Sequence, residues 1–307
     1  MITAPTTIDL SRVPPPNAIE PLDYEALFAA FVSRFKAAWE RMRAVDPTLP
    51  AYDVEMLETD PAMITGEAWS YLRLRDRARV NDAVRAVLAP LARGTNLDNV
   101  AARVNIERLV VIPATANSPA VMESDTQLLR RYLMAFDRPS AGSRDRYLFE
   151  AFSAWPGMLD AAVIGRAVHG RRGDTDIVII GPGGALPTTE QVRAVRDAVT
   201  ATDVKPEATA VTVIPAVRTT YSVSLVLTLP QGPDPSVVIV DARARVDAAI
   251  AQRTLIGAEA PVWAIAGAAY GDNVIRVRVI APEADIPADP YAVPVCTGVT
   301  ITAEVQG

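Results

Sequence analysis

The sequence predicts an α+β fold, in which a helical amino-terminal domain is followed by two small α+β modules. In the amino-terminal third, apolar residues recur at the spacing of a helix, whereas the remainder alternates β-branched runs with helical segments. A chain of 307 residues can bury a sizeable core, and its length alone suggests about two domains. From the change in pattern we expect three segments, residues 1–112, 113–216 and 217–307.

Two longer helices are expected in the first segment. Residues 23–43 carry apolar side chains at helical spacing. Asp60 followed by Pro61 is a favourable helix start, because the aspartate can cap free amide groups and proline suits the first helical position. A helix from Asp60 to Ala92 would be about 50 Å long. Pro90 is expected to kink it or end it.

Turn-forming residues flank these helices. Three consecutive prolines, Pro14, Pro15 and Pro16, should hold residues 1–17 in an extended conformation. We expect this arm to be mobile in the free protein and ordered only against a partner. Gly94 fits a left-handed cap, and Asn96 can cap a further short helix.

The middle of the long helix is unusual in its charge. Apolar residues recur at helical spacing from Ile64 to Leu72, but the next turns carry charge on every side, where a surface helix should keep an apolar stripe. Two i,i+3 pairs are expected, Arg73 with Asp76 and Arg79 with Asp82, each worth about 0.2 to 0.5 kcal/mol. The neutral interpretation is an ordinary solvated face.

The second and third segments alternate strands and helices. In the middle segment we expect strands at 160–168 and 175–181 around a tight turn, a helix at 188–201 and a strand at 209–217. Thr188 and Gln191 fit a capping box for that helix. The last segment should contain a strand, a helix and two further strands, at 221–229, 235–253, 273–280 and 298–305.

Composition and charge exclude several classes of protein. Because 50% of the residues are hydrophobic and only 21% are charged, the chain should be globular. We find no run of about eighteen apolar residues and no secretory signal, so we expect a protein made in the cytoplasm without a membrane span. The net charge of −6 argues against general nucleic-acid binding. The charge is uneven, since the segment from Arg73 to Arg108 is basic and no basic residue follows Arg278.

Few residues offer catalytic or metal chemistry. His169 and Cys296 are the only residues of their types, so histidine clusters and intramolecular disulfides are impossible. Asp174 and Asp176 fall short of the six to eight oxygens that calcium takes. We therefore expect no enzymatic activity, no cofactor and no metal site.

Two short motifs leave alternatives open. The glycine-rich loop Gly181–Gly184 lies between a strand and a helix, so a phosphate-binding enzyme is possible, although the loop lacks the residues of known phosphate motifs. Arg172, Gly173 and Asp174 spell an adhesive tripeptide, so a receptor-binding module is also possible. A turn explains the same three residues, because glycine and aspartate are common there.

The order of several motifs resembles the baseplate J-like family. The sequence contains "IDLSRVPPPN", "LETDPA", "RVNDAVRAVLA" and "GTNLDNVAARVNIER", followed by "SRDRYLFEAFSAWPGMLDAAVI" and a closing "VPVCTGVTI". The resemblance covers essentially the whole chain and is densest from Leu57 to Arg108. Pro90 and the segment "AGSRDRY" depart from the family pattern, which affects local geometry only.

This resemblance implies a structural role in the baseplate of a contractile phage tail or a related injection machine. It implies a wedge protein whose amino-terminal helices bundle with a second copy and with another wedge protein. The carboxy-terminal modules would contact neighbouring wedges and close a ring around the tail hub, supporting contraction triggering. It implies assembly in the host cytoplasm without nucleic acid or membrane. Arg75 and Arg77 would then pair with acidic residues of other chains.

The candidate contacts between subunits follow from the same reasoning. They lie on the long helix and in the proline-rich arm, and they are Arg73, Arg75, Arg77, Arg79, Asn81, Asp82, Arg85, Pro14, Pro15 and Pro16.

Overall fold

The chain forms two compact units in a computed structural model, one ending at Asn105 and one beginning at Ile106. The structure describes residue 14 and residues 16–52, 59–232 and 234–306. The first unit is helical and the second combines strands with helices, which confirms the predicted α+β class. The predicted boundaries at residues 112 and 216 stay predictions.

The helical unit contains α1 (Tyr24–Val45), α2 (Pro61–Ala86) and α3 (Thr95–Ala102). Both longer helices begin at a capping aspartate, and the cap at Asp60 was predicted. The Asp23 carboxylate accepts a hydrogen bond from the Ala26 amide at 3.0 Å, and Asp60 accepts one from Ala62 at 2.7 Å. These side chains satisfy amides that have no partner inside a helix, which fixes where each helix begins.

The carboxyl end of α2 differs from the prediction. The helix ends at Ala86, so it is about 39 Å long. The chain then tightens into turns, in which the Leu88 amide donates to Arg85 and the Leu91 amide donates to Leu88. Pro90 lies in these turns and has no amide to continue the helix.

The start of α3 also differs from the prediction. Gly94 has a positive φ of 54°, but its ψ of −133° is far from the left-handed helical value. It occupies the N-cap position and α3 begins at Thr95, so Asn96 lies inside the helix and does not cap it. The Asn96 amide instead donates to the Arg93 carbonyl at 3.2 Å.

The second unit begins with elements that the sequence did not predict. These are a two-stranded sheet of β1 (Val110–Ile112) and β2 (Val121–Met122), followed by α4 (Asp125–Met134) and α5 (Arg144–Ala154). A buried ion pair fixes them, since Arg131 of α4 lies 2.7 Å from Glu123. Glu123 also accepts the Leu109 amide, so the pair joins the start of the unit to its helices.

The first larger sheet has the strand order β3 (Asp160–Ile164), β4 (Asp174–Ile180) and β5 (Ala210–Pro215). β4 pairs antiparallel with β3 and parallel with β5. Helices α5 and α7 (Thr189–Val199) cover one face, where Ile177 and Ile179 are buried. The predicted capping box of α7 is present, with Thr188 and Gln191 bonding each other's backbone.

The predicted tight hairpin between β3 and β4 is wrong in its detail. The strand ends at Ile164, and the next residues form a single helical turn, α6 (Arg166–His169). Gly170 then adopts the left-handed conformation at φ 78°, ψ −16°. A glycine can do this without steric cost, which lets the short helix stop and the chain reverse.

The second larger sheet has the order β7 (Arg276–Ala281), β6 (Val217–Leu229) and β8 (Ala292–Val305). β6 pairs antiparallel with β7 and parallel with β8. Helices α8 (Pro235–Arg253) and α9 (Val262–Ala269) contribute to the apolar core on one face of this sheet. α9 was not predicted.

A shared core joins the two sheets into one unit. Val178 and Ile180 of β4 are buried against Val293 and Val295 of β8. Successive residues of β4 therefore serve two cores, which explains its continuous apolar sequence. Gly184 is needed beside this core, because a Cβ there would overlap the Val295 side chain.

Candidate assembly interface

The two long helices pack through a row of aromatic side chains on α1. Phe31 stacks with Phe35 and lies 5.7 Å, centroid to centroid, from Trp69 of α2. Gly66 makes this contact possible, because a Cβ at that position would overlap the Phe31 ring. Ser70 is buried one turn later and donates to the Gly66 carbonyl at 2.7 Å. Small residues at i and i+4 thus bring the two helices together.

Asn81 fastens the segment that precedes α1. Its side-chain oxygen accepts the Glu20 amide at 3.0 Å, and its nitrogen donates to the Glu20 carbonyl at 2.7 Å. Only 1% of Asn81 is exposed, so these two hydrogen bonds are buried within the chain. Asn81 was predicted as a subunit contact, but the structure gives it this internal partner.

Arg77 also finds its partner within its own chain. Its Nε lies 2.7 Å from the Glu20 carboxylate, as an ion pair without hydrogen-bond alignment. The predicted contact of Arg77 with a carboxylate of another chain stays a prediction, although its own chain already supplies one partner. The sequence could not reveal the pair, because Glu20 and Arg77 lie far apart and meet only when the chain doubles back.

The other charged residues of α2 divide into paired and unpaired groups. Arg73 lies 3.9 Å from Asp76, as predicted. Asp82 pairs with Arg85 at 3.1 Å and not with Arg79, so the second predicted pair is wrong. Within the described residues, Arg75 and Arg79 have no ion-pair partner.

The apolar stripe at the start of α2 faces away from α1. The buried residues of the helix are Met63, Gly66, Ser70 and Asn81. Ile64 is 52% exposed, Tyr71 is 55% exposed and Leu72 is 58% exposed. The sequence pattern located this stripe but not the side of the helix that it occupies, since three of the four buried residues, Gly66, Ser70 and Asn81, are small or polar.

Only three residues of the proline-rich arm, 14, 16 and 17, are among the described residues. Pro14 and Pro16 are exposed and lie outside regular structure. Pro15 and the first thirteen residues, which include most of the predicted arm, lie outside the described residues. The predicted contacts of the arm therefore stay predictions.

The adhesive tripeptide is tied into the fold. The Asp174 carboxylate accepts a hydrogen bond from Arg171 at 2.9 Å, and Arg171 also bonds Asp176. The Tyr291 hydroxyl donates to Asp176 at 2.7 Å. Burial alone would raise the pKa of Asp176, but the bonds from Tyr291 and Arg171 outweigh it and hold that pKa below its usual value. The turn thus anchors the first larger sheet to the segment that begins β8.

His169 belongs to the same turn. Its Nδ1 accepts the Arg171 amide at 3.0 Å, and its Nε2 is buried with no hydrogen-bond partner in the described structure. This arrangement orients the ring for a structural role.

The glycine-rich loop closes on itself. The Gly181 amide donates to the Ala185 carbonyl at 2.8 Å, and the Gly184 amide donates back to Gly181 at 3.1 Å. Amides that bond within the loop are not directed outward as a phosphate cradle requires. The loop geometry therefore favours a plain connection between β4 and α7.

Across residues 16–52, 59–232 and 234–306, no three side chains of His, Cys, Asp or Glu are grouped in a way that could hold a metal ion. No helix in the described part of the chain combines the length and apolar character needed to span a bilayer.

Comparison with known proteins decides the family. A model described as the Baseplate J-like N-terminal domain matches residues 58–115, which include α2 and α3. The chain is 31% identical over 297 residues to Baseplate protein J of Escherichia phage P2, covering 94% of this chain and 95% of that protein. The chain belongs to the baseplate J-like family. This baseplate J-like protein is a structural protein of the phage tail, and its place is the virion baseplate.

Proposed function

We propose that this baseplate J-like protein is a wedge subunit whose helical unit completes a helix bundle with other baseplate subunits. The observation that carries the proposal is the exposed apolar face of α2, formed by Ile64, Tyr71 and Leu72. A helix that leaves such a face uncovered gains stability only when another surface buries it.

The other long helix supports the same proposal. Met42 and Val45, near the carboxyl end of α1, are also exposed, and Val45 is 86% exposed. They line a shallow groove of about 540 Å³ with Ala38 and Leu49. Two helices cannot enclose a core by themselves, so apolar residues on both outer faces favour association with further helices.

The second unit would contact neighbouring wedges and help to close the ring around the tail hub. Such a ring would hold the baseplate in the state from which contraction is triggered. In the second unit, one shared core joins the two larger sheets, and this supports a role in transmitting force, because close-packed interiors transmit strain.

We also propose that the chain has no enzymatic activity. Reproducible turnover in a broad hydrolase and transferase panel would refute that part.

The bundle is tested by changing the apolar face. Ile64→Ser with Tyr71→Ser should leave the isolated chain folded, because neither side chain is in its core, while the yield of assembled particles falls sharply. The measurement is electron microscopy of particles produced when the variant replaces the wild-type protein. Val168→Ser with Leu186→Ser is the matched control, since both residues are similarly exposed in the second unit. Normal particles from the α2 variant would contradict the bundle.

A further inference from the structure

The outer face of α2 changes chemistry along its length. At about 100° per residue, Ile64, Ala68, Tyr71, Arg75 and Arg79 fall within an arc of about 80°. The first three make the face apolar over roughly 10 Å, and the two arginines make the next turn cationic. The face is therefore apolar first and basic afterwards.

The two arginines are not neutralised by the helix that carries them. α2 has three acidic residues, and two of them are occupied by the pairs Arg73–Asp76 and Arg85–Asp82. Glu67 is the third, and it lies two turns before Arg75. Within the described residues, neither Arg75 nor Arg79 has an ion-pair partner.

We infer that the occupant of this face is an amphipathic helix from a different tail protein, carrying two carboxylates about one turn apart. The carboxylates meet Arg75 and Arg79, and an apolar stretch next to them covers Ile64 to Tyr71. This inference rests on the proposed bundle and specifies its partner. Charge complementarity supplies register, because two carboxylates spaced by one turn match the two guanidinium groups in one alignment.

A second copy of α2 matches this face less well. It brings one free carboxylate, Glu67, for two free guanidinium groups, so arginines would remain unpaired in the contact. In a parallel arrangement at equal height, Arg75 would also lie beside Arg75 of the other copy, which is repulsive. A helix with two acids and no competing arginine satisfies both groups.

The experiment compares three double variants of the full chain, each replacing the wild-type protein during particle assembly. Arg75→Glu with Arg79→Glu should lower the particle yield on the order of thirty-fold or more, because carboxylates would face carboxylates. Arg193→Glu with Arg196→Glu, on exposed arginines of α7, makes the same change in net charge and should leave the yield near wild type. The apolar variant Ile64→Ser with Tyr71→Ser reports on the bundle itself.

The pattern of results separates the two claims. A loss of particle yield with both α2 variants supports the inference. Loss with the apolar variant alone overturns the acidic partner while leaving the bundle intact, and normal assembly with both defeats the bundle. Thermal melting of each purified variant verifies that the chain is folded.

Selection for restored assembly of the charge variant identifies the occupant. We expect compensating changes that replace Asp or Glu by Lys or Arg in a helix of another tail protein. Compensation at Glu67 of this chain would show that the occupant is a second copy and would overturn the inference.

Discussion

At the scale of single residues, the helical unit depends on small and polar side chains. Gly66 admits the Phe31 ring, and Asn81 holds the backbone of Glu20 through two hydrogen bonds. Neither residue carries an apolar side chain, so hydrophobic periodicity gives no sign that they form the buried side of α2. This is why the sequence located the large apolar residues correctly but could not tell which face of the helix they occupy.

Gly66 gives a prediction with an informative control. Gly66→Ala should destabilise the helical unit by about 1 to 3 kcal/mol, because overlap with Phe31 outweighs the better helix propensity of alanine. Gly267→Ala in α9 should instead stabilise by about 0.5 to 1 kcal/mol, since a Cβ there meets nothing within 4 Å. Denaturant unfolding measures both changes, and equal signs for the two variants would contradict the packing of α1 on α2.

At the scale of elements, caps were predictable from sequence and long-range partners were not. Asp23, Asp60 and Thr188 act within a few residues of their own position, so their roles follow from local spacing. The capping box of Ser124 and Gln127 was a signal for α4 that was missed. The contacts of Arg77 and Asp176 depend on residues far along the chain, which no local pattern encodes.

The Asp176 cluster predicts how stability depends on pH. Because the pKa of Asp176 is lowered in the folded protein, its stabilisation is present above the ordinary aspartate value of about 3.9 and is lost as pH falls through the folded value. Tyr291→Phe removes one hydrogen bond to this carboxylate. We expect a loss of about 1.5 to 3 kcal/mol at neutral pH that shrinks below about pH 4.

Denaturant unfolding of wild type and variant across this pH range measures the difference directly. Asp160, whose pKa is raised by burial, gives the opposite slope in both proteins and cancels in the difference. Tyr270→Phe, at an exposed tyrosine, is the control and should have little effect at any pH. A Tyr291→Phe loss that persists unchanged at pH 3 would show that Asp176 is not the group responsible.

At the scale of the whole molecule, the fold class and family were accessible from sequence because they depend on the order of many segments. The proposed assembly surface was accessible only in part. Its arginines were visible in the sequence as a run of charge. In the described structure, Arg77 forms an ion pair with Glu20, whereas Arg75 and Arg79 have no ion-pair partner. The free arginines continue the apolar face of Ile64 and Tyr71, and this continuity appears only once the buried side of α2 is known.

The central claim is that the outer face of α2 is covered by another helix in the baseplate. A reconstruction of the assembled baseplate at side-chain resolution tests it most directly. We predict that Ile64 and Tyr71 contact apolar residues of another chain and that Arg75 and Arg79 each lie within about 4 Å of a carboxylate from that chain. An α2 whose outer face contacts only water in the assembled baseplate would contradict the claim.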